Sequence, residues 1–170
     1  KLPTNIVSIQ QSAFQNCSGL TGTFEVPASV IKFAGYTFYG CTGLSEFNIS
    51  KNLTSVGTFP FVKCKCLINV NPDNPNLTDV DGILFDKALT TLKYYPTSKV
   101  GGYSIPSTVK TIEDAAFAYC SNLISVDFPS SVTKIGQWSF DFCDGLTSFS
   151  LPENLKSIGT CAFRNCSGLT

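Results

Sequence analysis

The chain repeats itself about every 23 residues, and that period decides what it can fold into. With a Pro behind an apolar residue as anchor, the series runs through Pro27, Pro106, Pro129 and Pro152, the last three spaced 23 apart. Ser50 holds the same place 23 after Pro27, and Pro3 precedes Pro27 by 24. Pro72 follows Ser50 by 22, and the 34 residues from Pro72 to Pro106 are one period plus 11. Within each period the columns hold. Ile6, Val30, Leu53, Val109, Val132 and Leu155 form one, and Ile9, Phe33, Val56, Ile112, Ile135 and Ile158 the next. Then come Phe14, Phe38, Phe61, Phe117, Phe140 and Phe163, followed by Cys17, Cys41, Cys64, Cys120, Cys143 and Cys166. Leu20, Leu44, Leu67, Leu123, Leu146 and Leu169 close each unit. A unit this short cannot bury its own apolar face, so successive coils must stack and share one core. The chain is a solenoid.

The spacing also predicts the parts of each coil. Leu-x-x-Ile-x-Ile, as in Leu123 to Phe128, alternates and stops at Pro, which has no N–H for a further ladder bond. It reads as one strand per coil, adding up to a parallel sheet. Val-x-x-Ile-Gly reads as a second, shorter strand. The stretch from the small residue before Phe to Leu, such as Ala116 to Leu123, suits a single helical turn. About seven coils result, regular over 1–71 and 106–170, with an irregular repeat over 72–105. There, Ile83-Leu84-Phe85 and Thr91 to Tyr95 flank Asp86 to Thr90 and predict a β-hairpin that juts from the solenoid.

Composition removes whole classes of function. Twelve basic and 12 acidic residues cancel, so no basic surface of the size nucleic acid needs is expected. No run of 18 apolar residues is present to span a membrane. With no His there is no Ser-His-Asp or Cys-His nucleophile system and no His metal ligand. Acids are scattered over different coils, and no enzyme chemistry, metal or cofactor is expected. The chain opens without Met or a leader and reads as a piece of a longer protein.

The repeat Ile-Pro-x-x-Val-x-x-Ile-Gly-x-x-Ala-Phe-x-x-Cys-x-x-Leu resembles the BspA-like leucine-rich repeats, the Treponema pallidum type. Ile105 to Leu123 and Leu151 to Leu169 carry the likeness best, and Val80 to Lys87 with Thr91 to Pro96 is similar to a hairpin unit found between such repeats. Ser50 for Pro, Phe33-Ala34 for Ile-Gly and Pro60 for Ala depart from the pattern. The resemblance implies a leucine-rich-repeat solenoid on a cell-surface or secreted protein of a mucosal bacterium or protist. It further implies a non-enzymatic module that binds host cells or matrix proteins such as fibronectin or fibrinogen. The alternative is a structural spacer that presents other domains and has no ligand site of its own.

Candidate sites follow from the coil. Between and before the apolar residues of each first strand stand Glu25, Glu46, Asn48, Asn69, Asn71, Ser104, Ser125, Asp127, Ser148 and Ser150. These predict one solvent-facing, protein-binding sheet surface of short polar and mildly acidic side chains. Tyr36, Tyr39, Tyr94, Tyr95 and Trp138 fall outside the core columns; Tyr94 and Tyr95 on an extended hairpin must face opposite ways, leaving one as a contact residue. The six column cysteines read as buried structural thiols, whereas Cys66 and Cys161 lie outside the column as the more exposed ones. Asp79-x-Asp81-Gly82 is turn chemistry rather than a calcium loop. Five Asn-x-Ser/Thr sequons occur, at Asn16, Asn48, Asn52, Asn76 and Asn165; Asn52 and Asn76 are the two placed to carry glycan.

Overall fold

Each period winds into one coil of a β-solenoid. The computed structural model describes residues 2–169, which form two compact units, Lys1–Lys87 and Ala88–Thr170. In the first unit, the long strand of each coil gives β2 (Gly22–Glu25), β4 (Leu44–Ile49) and β5 (Leu67–Val70), paired parallel in that order. The short strand gives β1 (Ser8–Ile9) and β3 (Lys32–Phe33), also parallel, with a bridge from Lys32 to Ser55. The unit ends in an antiparallel hairpin of β6 (Leu77–Val80) and β7 (Ile83–Asp86). In the second unit the short strands are β8 (Thr91–Tyr94), β10 (Thr111–Ile112), β12 (Lys134–Ile135) and β14 (Ser157–Ile158). Its long strands, β9 (Gly101–Ser104), β11 (Leu123–Asp127) and β13 (Ser148–Ser150), pair parallel.

The Phe column forms the core of both units. In the first, Phe14 and Phe38 stack at 5.2 Å and Phe38 and Phe61 at 6.1 Å; Phe24, Phe33 and Phe47 meet this stack edge-on. In the second, Tyr95, Phe117, Phe140 and Phe163 stack at 4.8, 4.6 and 5.1 Å. The second unit's separations match the coil repeat of about 4.8 Å, so each ring covers the one before it, while Phe38 and Phe61 stand wider apart at 6.1 Å.

The corner segments are not helical turns as expected. Their N–H groups divide between two directions. Ser12, Phe14 and Asn16 donate to Gly35, Thr37 and Tyr39 of the next coil, while Ala13, Gln15 and Cys17 donate three residues back. Ala115, Phe117 and Tyr119 repeat the inter-coil pattern onto Gln137, Ser139 and Asp141. Helix would keep every N–H within the segment. Left-handed residues four apart make the alternation possible: Ser12 and Asn16, Tyr36 and Gly40, Phe59 and Lys63, Ala115 and Tyr119, Trp138 and Phe142, Cys161 and Asn165, with φ from +52° to +73°. Each non-glycine of this kind costs on the order of 1–2 kcal/mol. The inter-coil bonds offset that, as do ring contacts on the outer corner, Tyr36 tilted against Phe59 at 5.1 Å and Tyr119 stacked on Phe142 at 4.8 Å.

The segments expected to jut outward are packed inside. Ile83, Leu84, Phe85 and Leu92 are buried, and so are Tyr94 and Tyr95. The tight turn of the β6–β7 hairpin is Asp81-Gly82, both at positive φ as a two-residue primed turn requires. Gly82 sits against Leu67, and its carbonyl accepts from Ile68, which fastens the hairpin to β5. Asn74 organises the approach to it. Fully buried, it donates to the Ser50 and Leu53 carbonyls at 2.9 Å each and accepts from the N–H groups of Asn76 and Leu77, also at 2.9 Å.

Candidate protein-binding face

A bulge sets which side chains the long strands present. Leu44 and Phe47 are both buried although they are three positions apart, an odd spacing that strict alternation forbids. The register with β2 shifts between Gly22 and Thr23, leaving Ser45 and Glu46 both outside. The same shift between Leu123 and Ser125 pushes Ile124 out to 53% exposure. Past the bulge the alternation is regular, and Glu25, Asn48 and Asn69 come into register on the outer face of β2, β4 and β5.

These three side chains form a hydrogen-bonded ladder. Asn69 Nδ2 donates to Asn48 Oδ1 at 2.9 Å, and Asn48 Nδ2 donates to Glu25 Oε1 at 2.6 Å. One step earlier along the strands, Thr23 Oγ1 donates to Glu46 Oε2 at 3.1 Å. Glu25, Asn48, Ser50, Asn69 and Asn71 surround a shallow depression of about 430 Å³ at the C-terminal ends of the strands. Asn71 uses its Oδ1 to accept from the Asp73 N–H and start the following turn. Because each amide is held by its neighbour, the face offers a carboxylate and amides in fixed orientation, so little side-chain entropy is lost on contact.

The second unit has a smaller counterpart. Ser104 Oγ donates to Asp127 Oδ2 at 2.8 Å. Asp127, Ser148 and Ser150 line a depression of about 300 Å³ together with Phe128 and Phe149, and Ser125 is in register with Ser148. Within each unit the structure therefore groups the polar sheet residues singled out from sequence. It does not make Tyr94 and Tyr95 contact residues. Both are buried, because Leu92 and Tyr94 take the inward positions of β8 and the chain turns at Tyr95, which joins the Phe column against Phe117. Tyr36, Tyr39 and Trp138 are half-buried, with Lys63 Nζ 5.7 Å from the Tyr39 ring centre. Exposed apolar residues that sequence reasoning missed include Val7, Val100 and Ile124, and Ile158 of the apolar column is also exposed; for Ile124, a Leu-x-x-Val strand hides the bulge residue in its two variable places.

All eight cysteines are thiols, none of them in a disulfide. Cys41, Cys64, Cys120, Cys143 and Cys166 are buried, and Cys17 is half-buried. Burial pushes the Cys41 thiol up to about 11 and raises Cys120, Cys143 and Cys166. Cys66 is fully buried, not exposed as expected: its thiol turns in to share a hydrogen bond with Cys64, which with burial raises Cys64 well above the usual thiol range. Cys161 is half-buried. Asp79 Oδ1 is taken by the Val70 N–H at 2.7 Å. Of the two glycan candidates, both exposed, Asn52 donates its amide to the Ala28 carbonyl at 2.8 Å, whereas Asn76 engages Asn74 through its backbone N–H. No helix among the described residues is long and apolar enough to cross a membrane.

Comparison with known proteins places this geometry. The model of the BspA type leucine rich repeat region, in six copies, matches residues 1–99 and 92–170. A leucine-rich repeat protein from Eubacterium ventriosum superposes over 98% of this chain and 45% of its own, with a TM-score of 0.88 and 28% identity. The Treponema pallidum leucine rich repeat protein covers 99% of this chain and 76% of its own, at TM-score 0.60 and 25% identity. The pneumococcal vaccine antigen PcpA shares the fold over 99% of this chain and 60% of its own, at TM-score 0.76 and 20% identity. The chain thus spans under half the length of the Eubacterium protein. No curated protein matches it in sequence.

Proposed function

The chain belongs to the BspA type leucine rich repeat family, and on that premise we propose that it is a non-enzymatic protein-binding module of a cell-surface or secreted protein. The observation that carries this reading is the Glu25–Asn48–Asn69 ladder, a pre-oriented polar row on an exposed sheet. Its partners are proteins that present amide and cationic donors, with adhesion to host cells or to matrix proteins such as fibronectin or fibrinogen as the specific form proposed. Affinity in a longer protein would grow with the number of coils engaged. The description of PcpA as a vaccine antigen supports a surface location. Asn52 and Asn76 are proposed glycan acceptors where the chain passes through a secretory pathway.

The competing reading, a spacer, draws on the second unit, where Ser104, Ser125, Ser148 and Ser150 leave few groups to hold a partner. Binding of the chain to immobilised fibronectin, fibrinogen, laminin and albumin separates the two. The expected result is saturable binding to a matrix protein but not to albumin, lost on Glu25→Lys, Glu46→Lys and Asp127→Lys together. Absence of binding to all of them by the folded chain, or binding unchanged in the triple variant, overturns the sheet-face reading.

A further inference from the structure

The short-strand side of the second unit carries a row of lysines that the sheet-face reading leaves unused. Lys110, Lys134 and Lys156 are exposed, one on each of three successive coils. Their backbone spacing is fixed by the coil ladder. Lys110 N–H donates to Thr90 at 2.8 Å, Thr133 N–H to Lys110 at 2.9 Å, and Lys156 N–H to Thr133 at 2.8 Å. Thr111, Lys134 and Ser157 are in direct register on β10, β12 and β14. At about 4.8 Å per coil, the row extends about 10 Å from Lys110 to Lys156.

Among the described residues, none of the three lysines is in an ion pair. Glu113 is taken by Lys93 at 2.9 Å, and Asp114 holds the backbone and side-chain amides of Gln137. Among the described residues, the unit's other ion pair joins Arg164 to Asp141. Six basic and six acidic residues make the unit neutral overall, so the row reflects segregation of charge and not excess of it. Lys134 shares its register with Thr111 and Ser157, offset by one residue from Lys110 and Lys156; the same two positions of each coil in the first unit, Val7-Ser8, Ile31-Lys32 and Thr54-Ser55, hold a single cation.

We propose that this row binds a linear sulfated polysaccharide. Three cations held on separate coils, about 10 Å from first to last, are spread too far to close around one small anion. They suit a ligand whose charges recur along a chain. The hydroxyls of Thr111 and Ser157 flank Lys134 and can donate to sulfate oxygens, while Thr133 spends its hydroxyl on the Lys110 carbonyl and each ammonium supplies a mobile point charge. Since the ladder fixes the spacing before binding, ordering costs fall mainly on the lysine side chains. This ligand class is independent of the protein partner proposed for the other face.

Retention on immobilised heparin across a sodium chloride gradient tests the proposal, with hyaluronan as a carboxylate-only polymer. The wild-type chain is expected to bind heparin at about 50 mM salt and pass through hyaluronan. By counterion release, log affinity should fall with log salt at a slope of about −2 to −3, and Lys134→Gln should lower that slope by about 1. Lys110→Gln, Lys134→Gln and Lys156→Gln together should flow through while unfolding at the wild-type temperature. A charge-matched variant of the first unit, Lys32→Gln, Lys51→Gln and Lys65→Gln, should be retained like wild type. Passage of the wild-type chain through heparin, equal retention on hyaluronan, or equal losses in the two triple variants overturns it.

Discussion

The Cys143 thiol donates to the carbonyl of Phe117, one coil back, at 3.1 Å inside the core. The same bond joins Cys41 to Phe14 and Cys64 to Phe38 at 3.0 Å, and Cys166 to Phe140 at 3.1 Å. Each of these carbonyls also accepts the backbone N–H three residues on, so the thiol, a small apolar group that can still donate weakly, fills its second acceptor site. These thiols should therefore be inert while the coils hold. Alkylation of the native chain is expected to modify Cys17 and Cys161 and to spare Cys41, Cys64, Cys66, Cys120 and Cys143. Unfolding in guanidinium should expose all eight. Rapid native labelling of Cys143 or Cys66, read by mass spectrometry, would contradict the buried column.

The same burial sets a pH dependence. Cys41 is raised from 9.0 to about 11, and Tyr95 from 10.0 to about 12, both chiefly by burial. Each group holds its proton more tightly folded than unfolded, so its contribution is complete below the unfolded value and is lost as pH rises toward the folded one. Stability should be flat from neutral pH to about pH 9 and then decline from there to about pH 12. Urea midpoints across this range check the sign. A midpoint that rises above pH 9 would show that these groups ionise inside the fold.

Tyr95 stacks on Phe117 at 4.8 Å and is buried, so it is a core residue of the irregular repeat. Tyr95→Ala should cost about 3–5 kcal/mol, as large aromatic truncations in cores do. Tyr95→Phe keeps the stack and should stay within about 1.5 kcal/mol of wild type. Urea unfolding of both variants decides the matter: similar, small costs would place the ring at the surface.

What was legible in the sequence is whatever the period alone determines. The Phe column, the Cys column and the two strands per coil recur at fixed positions, so the burial of Phe38, Phe117 and Cys143 could be read directly. What escaped is governed by direction. The corner from Ser12 to Cys17 has local propensity for a helical turn, but its N–H groups alternate toward the next coil, which no local pattern encodes. Strand parity gives Tyr94 and Tyr95 opposite faces, and parity ends where β8 ends. Asp81-Gly82 between two apolar runs is itself the strongest short hairpin signal, overlooked beside the longer Asp86 to Thr90 loop. On the sheet face the outward positions were legible, while the Glu25–Asn48–Asn69 bonding required knowledge of register.

Asn74 ties the last regular coil of the first unit to its hairpin, through four hydrogen bonds made from a fully buried amide. Asn74→Ala should cost about 3–4 kcal/mol, near 1 kcal/mol for each bond lost. Asn74→Asp should be no better. Its carboxylate could still accept from Asn76 and Leu77, but it would turn acceptors toward the Ser50 and Leu53 carbonyls. Rescue of the Ala variant's urea midpoint by Asp would show that only the turn-side acceptor matters.

The position before the core Phe offers the opposite experiment. Thr37 and Ser139 occupy it in equivalent coils, and both are fully buried. Thr37 Oγ1 donates to the Ala34 carbonyl at 2.5 Å, whereas Ser139 Oγ has no partner among the described residues. Ala116 and Ala162 fill the same position in the neighbouring coils, so Ser139→Ala fits without a new cavity larger than the hydroxyl itself. Removing an unpaired buried hydroxyl should stabilise by about 1 kcal/mol, while Thr37→Ala should destabilise by at least about 1 kcal/mol. Thermal melts should move in opposite directions, by about 2–4 °C for each kcal/mol in a chain of this size. If both variants lose stability, the Ser139 hydroxyl is satisfied in solution and the position requires a polar group.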